Sequence, residues 1–86
     1  MEIPAYEPEG GVPLVWDHGF VIDARESNGE VVVRANRAGL VSLARHLLVL
    51  AQDNVPSGSH VHLDDAAALE PGSTGLVLER DDSLVP

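Results

Sequence analysis

The dipeptide Asn28-Gly29 stands between two stretches in which apolar and polar residues alternate, Gly19–Ser27 and Glu30–Ala35. Asn and Gly best tolerate the positive φ that both central positions of a two-residue hairpin turn require, so the pair predicts a β-hairpin and sets its register. Ser27 then faces Glu30, Arg25 faces Val32 and Asp23 faces Arg34, while Glu26 faces Val31, Ala24 faces Val33 and Ile22 faces Ala35. One side of the hairpin collects Phe20, Ile22, Ala24, Val31, Val33 and Ala35; the other carries Asp23, Arg25, Val32 and Arg34. A slip of one residue would turn every apolar group to water. The opposed charges of Asp23 and Arg34 favour the same register by on the order of a few tenths of a kcal/mol.

Directly after the hairpin, Asn36–Asn54 reads as the only helix. Asn36 is a suitable N-cap, because its side-chain oxygen accepts from an otherwise orphaned N–H of the first turn. Leu40, Leu43, Ala44, Leu47, Leu48 and Ala51 recur at helical spacing and predict the buried face. Ser42, Arg45, His46 and Asp53 fall on the opposite, polar side, with Val49 among them. Asn54 in a left-handed conformation, followed by Pro56, is expected to close the helix.

Two more strands follow. His60–Asp64 alternates, sending Val61 and Leu63 to one face and His60, His62 and Asp64 to the other; Gly75–Arg80 sends Leu76 and Leu78 inward and Val77 and Glu79 outward. Between them Asp65–Ser73 is a loop or a short helical turn, ended by Pro71-Gly72. Strand, strand, helix, strand, strand predicts an α+β fold, a four-stranded antiparallel sheet with one helix packed on one face. Residues 1–11, interrupted by Pro4 and Pro8, read as a mobile N-terminal arm, 12–82 as a single α+β domain and 83–86 as a C-terminal tail. One helix about 10 Å wide cannot cover four strands spanning roughly 15–19 Å. The Val12–Trp16 strip or a second subunit must shield the margins, and the outward Val49 points the same way, so a homodimer is expected.

The charge narrows the choice of partner. Fourteen acidic residues against five basic ones give a net charge of −9. Nucleic acid is not an expected partner, because phosphate binding needs clustered Lys or Arg; a basic protein partner is compatible with this field. With no Cys, disulfides, thiolate metal sites and Cys nucleophiles are excluded. No apolar run approaches the ~20 residues of a membrane span. The opening MEIPAYEPEG does not resemble a signal peptide. The expected location is the cytoplasm, with no membrane contact.

The residues that could carry chemistry lie on the outer side of the predicted sheet. His60 and His62, two positions apart on a strand, stand ~6.5–7 Å apart on one side. Asp64 or Glu79 could add a carboxylate, a workable but open arrangement for zinc. Two His on an exposed strand are read instead as polar surface, and neither a metal nor a cofactor is assigned. A shallow open sheet offers no cleft to exclude water, so no catalytic residue is assigned and the chain is not read as an enzyme. His60, His62, Asp64, Asp65, Glu79 and Arg34 are the candidates for contact with a protein partner.

The run from Asn36 to Asp82 resembles the immunity protein family 32 of bacterial polymorphic toxin systems. The resemblance rests on Gly39-Leu40 and Leu43-Ala44 early in the helix, on the strand His60-x-His62-Leu63-Asp64, and on the closing strand Leu76-Val77-Leu78-Glu79. It implies an α+β antitoxin that binds a cognate toxin protein by surface contact and does no catalysis. The alternative is a standalone homodimeric interaction or regulatory domain without a toxin partner.

Overall fold

A computed structural model describes residues 1–86. Its elements run β1 (Ile22–Ser27), β2 (Glu30–Ala35), α1 (Arg37–Leu50), β3 (His60–Leu63) and β4 (Leu76–Glu79). No helix is long and apolar enough to cross a membrane.

The hairpin forms in the register its turn dictates, from Ser27 opposite Glu30 to Ile22 opposite Ala35. Asn28 and Gly29 both take positive φ, 53° and 80°, as the tight turn demands. Asn36 caps α1: its Oδ1 accepts from the Gly39 N–H at 2.9 Å and also from the Val21 N–H at 3.0 Å. Its Nδ2 donates to the Gly19 carbonyl at 2.9 Å. A single side chain thus fixes the start of the helix against the entry to β1.

The fold is α+β with one helix, but the four strands form two separate two-stranded antiparallel sheets, β1–β2 and β3–β4, and not the expected single sheet. The reason lies at the second edge of β1. Segment 70–74 occupies that edge before β4 can reach it: Glu70 N–H donates to the Ile22 carbonyl at 2.8 Å and Thr74 N–H to that of Ala24 at 2.7 Å. The Ser73 and Thr74 hydroxyls accept from Ala24 and Glu26 N–H groups. Arg25 clamps the segment by donating to the Pro71 and Gly72 carbonyls at 3.0 and 2.8 Å. These irregular residues satisfy the edge with side-chain oxygens as well as backbone, so no ladder joins the two sheets.

The two sheets still share one core, made of Ile22, Ala24, Leu50, Val55, Val61, Leu63 and Leu69. Val61 and Leu63 are buried as the alternation in β3 requires, and Leu76 and Leu78 are half-buried.

The helix is turned relative to the sequence expectation. Gly39, Ser42, His46, Val49 and Leu50 are its buried residues, whereas Leu40, Leu47 and Leu48 remain 55, 51 and 47% exposed. Val49, expected on the outer side, is fully enclosed. Close approach explains the choice. A Cβ at Gly39 would stand 2.5 Å from the Val21 carbonyl oxygen and 2.9 Å from Ile22 Cγ1, so the hairpin packs onto helix backbone that no larger residue could offer. That contact turns the stripe of Ser42, His46 and Val49 inward.

The chain ahead of β1 covers this stripe. Asp17 N–H donates to Ser42 Oγ at 2.9 Å, and Ser42 in turn donates to the Ala38 carbonyl. Trp16 meets the His46 ring edge-on at 4.4 Å and stacks on Phe20 at 4.6 Å. Arg45 pairs with Asp17 at 2.8 Å. Residues 1–11, read from sequence as an arm, reach the far end of the helix: Tyr6 N–H donates to Gln52 Oε1, Gln52 Nε2 to the Pro4 carbonyl, and Asn54 Nδ2 to the Tyr6 carbonyl. The helix stops earlier than Asn54. Its final carbonyls are satisfied by Arg80, whose Nη1 donates to Leu50 at 3.1 Å and to Gln52 at 2.6 Å, so a side chain from beyond β4 supplies the ending expected of a left-handed Asn54.

Candidate partner-binding site

β3 presents His60 and His62 on the side turned away from Val61 and Leu63. Their rings meet edge to face at 4.9 Å. His60 Nδ1 lies 2.9 Å from the Gly58 carbonyl, which fixes that ring over the preceding turn. Across the ribbon Glu79 pairs with His60 and exposed Val77 pairs with His62. Gly58 and Ser59 lengthen this ribbon through bonds to and from Arg80.

The two acidic residues after β3 are held within their own loop. Asp64 Oδ1 accepts from the Ala66 and Ala67 N–H groups, both at 3.0 Å, and Asp65 Oδ2 accepts from the Gly72 N–H at 3.3 Å. Both side chains remain exposed. No group of three or more His, Cys, Asp or Glu side chains comes together as a metal site would need. Of the six sequence candidates, His60, His62 and Glu79 share one face and Asp64 and Asp65 lie at its end. Arg34 does not join them: it stands on β2 in the other sheet, 3.6 Å from Asp23. There the Arg25 guanidinium, 2.9 Å away, holds the Asp23 carboxyl below the usual carboxylate range, with Arg34 adding a smaller effect.

Beside the histidine face lies a feature that the sequence reading missed. A shallow groove of about 600 Å³ runs between the C-terminal half of α1 and β4, lined mainly by Leu47, Leu50, Ala51, Val77 and Leu78, with Glu79 and Arg80 at its rim. Because Val77 is the cross-strand neighbour of His62, groove and histidine face form one continuous surface. Its centre is apolar, and Glu79 and Arg80 stand at its margin. An apolar centre with a charged border is the anatomy of a protein-binding patch. Leu47 was assigned to the core by periodicity alone. The clue in the sequence was the stripe of Gly39, Ser42 and His46, whose small residues allow closer packing than the leucine stripe does.

A family model described as Immunity protein 32 matches residues 30–81, more than half of the chain. Neither a curated protein nor a solved structure matches it.

Proposed function

The chain belongs to the Immunity protein 32 family, and from that premise we propose that it is a small antitoxin that neutralises a cognate polymorphic toxin domain by surface contact in the cytoplasm. The action is occlusion and not catalysis. The observation that carries the reading is the continuous surface formed by the α1–β4 groove and the His60–His62 face, apolar at Leu47, Ala51 and Val77 with Glu79 and Arg80 at its margin.

Each part has a physical task. The half-exposed leucines of α1 and Val77 supply apolar area that gains free energy on leaving water, about 25 cal/mol per Å². Glu79 at the groove, Asp64 and Asp65 at the end of the histidine face and the net charge of −9 attract a basic partner and raise the rate of encounter. Toxin domains that act on nucleic acid have the basic surface such a field selects. His60 and His62 offer ring nitrogens and faces at the border between the two regions.

Co-expression with the C-terminal domain of any polymorphic toxin encoded next to this chain tests the proposal. The wild-type protein should restore growth and co-purify with the toxin. Val77→Asp should abolish both by placing a charge in the groove, and Glu79→Lys should slow association and weaken its salt dependence, with melting unchanged for both variants. Asp64→Lys is a poorer probe, because Asp64 holds two backbone N–H groups of its loop. Absence of binding by the wild-type protein would remove the antitoxin reading in favour of the standalone interaction domain.

A further inference from the structure

The outer edge of β2 is free. β1 lies between β2 and the 70–74 segment, and its residues Ile22, Ala24 and Glu26 turn their backbone groups toward that segment. Val31, Val33 and Ala35 stand opposite them, so their N–H and C=O groups point away from β1 in the antiparallel ladder. No strand pairs with that side, and the Val31 and Val33 groups meet no partner in the chain. The side chains are equally bare: Val31, Val32 and Val33 are 57, 47 and 40% exposed. Protected edges carry charges, Pro, a bulge or a covering loop; Glu30–Ala35 has no Pro, bulge or cover, and its two charges, Glu30 and Arg34, leave the three valines between them bare.

We propose that a second copy of this chain pairs with this edge, β2 against β2 in antiparallel order about a two-fold axis at Val32. Charge selects both the occupant and the register. With the axis at Val32, Glu30 lies opposite the partner's Arg34, and Arg34 opposite the partner's Glu30. Val31 and the partner's Val33 then exchange backbone hydrogen bonds, as do Val33 and the partner's Val31. Axes at Val31, Val33, Arg34 or Ala35 would set Arg34 opposite Asn28, Val32, itself or Asn36. Only one centre therefore gives opposed charges at both ends, and the strand is self-complementary there, as an isologous contact requires. The strand itself carries one Glu and one Arg, so pairing adds no like charge at the contact despite the net charge of each chain. The dimer joins two hairpins into one four-stranded sheet, in which Val32 meets the partner's Val32 and Val31 the partner's Val33 across the seam, covering part of the area each exposes. This inference rests on the β2 edge and not on the toxin reading, whose surface lies on α1 and β4.

Sedimentation and light scattering from micromolar to millimolar protein provide the test. The wild type should pass from the 9.1 kDa chain to twice that mass. Val33→Pro removes an outward N–H without touching the β1–β2 ladder, so it should stay monomeric with an unchanged fold. Glu30→Arg and Arg34→Glu should each weaken self-association by roughly tenfold, since each sets like charges at both ends. An equal mixture of the two should form a heterodimer as tightly as the wild type, because both end pairs are again opposed. A wild type that remains monomeric throughout, a dimer that survives Val33→Pro, or a mixture that fails to pair would each overturn the proposal. If the wild type is monomeric but Val33→Pro loses a co-expressed toxin domain, the edge takes a strand from that partner instead.

Discussion

His46 is a buried imidazole with no hydrogen-bond partner on either ring nitrogen, enclosed beneath Trp16 and fully shielded from water. Burial holds its pKa below the ordinary 6.5, and the Arg45 charge adds to the effect. The Val15 carbonyl opposes burial by favouring the charged ring, more than Arg45 disfavours it, yet it lies outside hydrogen-bonding geometry. The sign of the pH dependence follows. Well above pH 6.5 the ring is neutral in folded and unfolded chains alike, and His46 contributes no slope. As pH falls from 6.5 toward the lower folded pKa, the unfolded chain binds a proton that the folded chain refuses, so stability declines and then levels off. The limiting slope is about 1.4 kcal/mol per pH unit, or roughly 6–11 °C of Tm for a domain of this size. The neutral ring also costs about 1–3 kcal/mol through its unpaired N–H. His46→Leu removes both effects. In urea titrations from pH 8 to pH 5, the variant should match or exceed the wild type at pH 7.5 and lack this decline. The acid-side contributions of Asp23 and Asp81, whose carboxyls are held low by Arg25 and by Ser83 respectively, are common to both proteins. Parallel pH profiles, or a variant more than about 2 kcal/mol less stable at pH 7.5, would refute the reasoning by showing that the imidazole is held by a partner.

Ser42→Asp should unfold the domain, because it sets a carboxylate where Ser42 Oγ is enclosed between Ala38 and Asp17, at a cost above about 3 kcal/mol out of a total of 5–10. Leu47→Asp on the open stripe should change stability by less than about 1 kcal/mol; thermal melts of the two variants decide which helix face is inside. Gly39→Ala should lose about 1–3 kcal/mol by chemical denaturation despite its better helix propensity, since the new methyl meets the Val21 carbonyl and Ile22. Arg80→Met keeps the apolar stem but frees the Leu50 carbonyl and leaves that of Gln52 only the Val55 N–H, and should cost about 1–3 kcal/mol with the helix end fraying first in hydrogen exchange.

The parts of this fold that depend on neighbours in sequence were legible. A two-residue turn sets the hairpin register, Asn36 starts the helix, and alternation orients β3 and β4, all from local stereochemistry. What depends on residues far apart was not. The helix rotation follows from how closely Val21 approaches Gly39, and periodicity counted Leu40, Leu47 and Leu48 as core because it weighs apolarity and not clearance. The division into two sheets turns on Ser73 and Thr74 taking the β1 edge, a contact between a loop and a strand 48 or 49 positions apart. The candidate site was legible in its histidines and in Glu79, which alternation alone places. The groove beside them was hidden by the same error that put Leu47 inside.

The segment ahead of β1 closes over the helix by contacts that are distant along the chain: Asp17 to Ser42 spans 25 positions and Tyr6 to Gln52 spans 46. At about 5–20 residues per second of synthesis, Tyr6 waits roughly 2–9 seconds for its partner to be made. Hairpin and helix are complete as a continuous stretch before the last of these contacts can form. In refolding, the same separation makes the strap expensive to close early, because the intervening loop must be ordered first. The strap therefore belongs to the unfolding side of the barrier: weakening it, as with Gln52→Ala, should speed unfolding and leave the folding rate nearly unchanged.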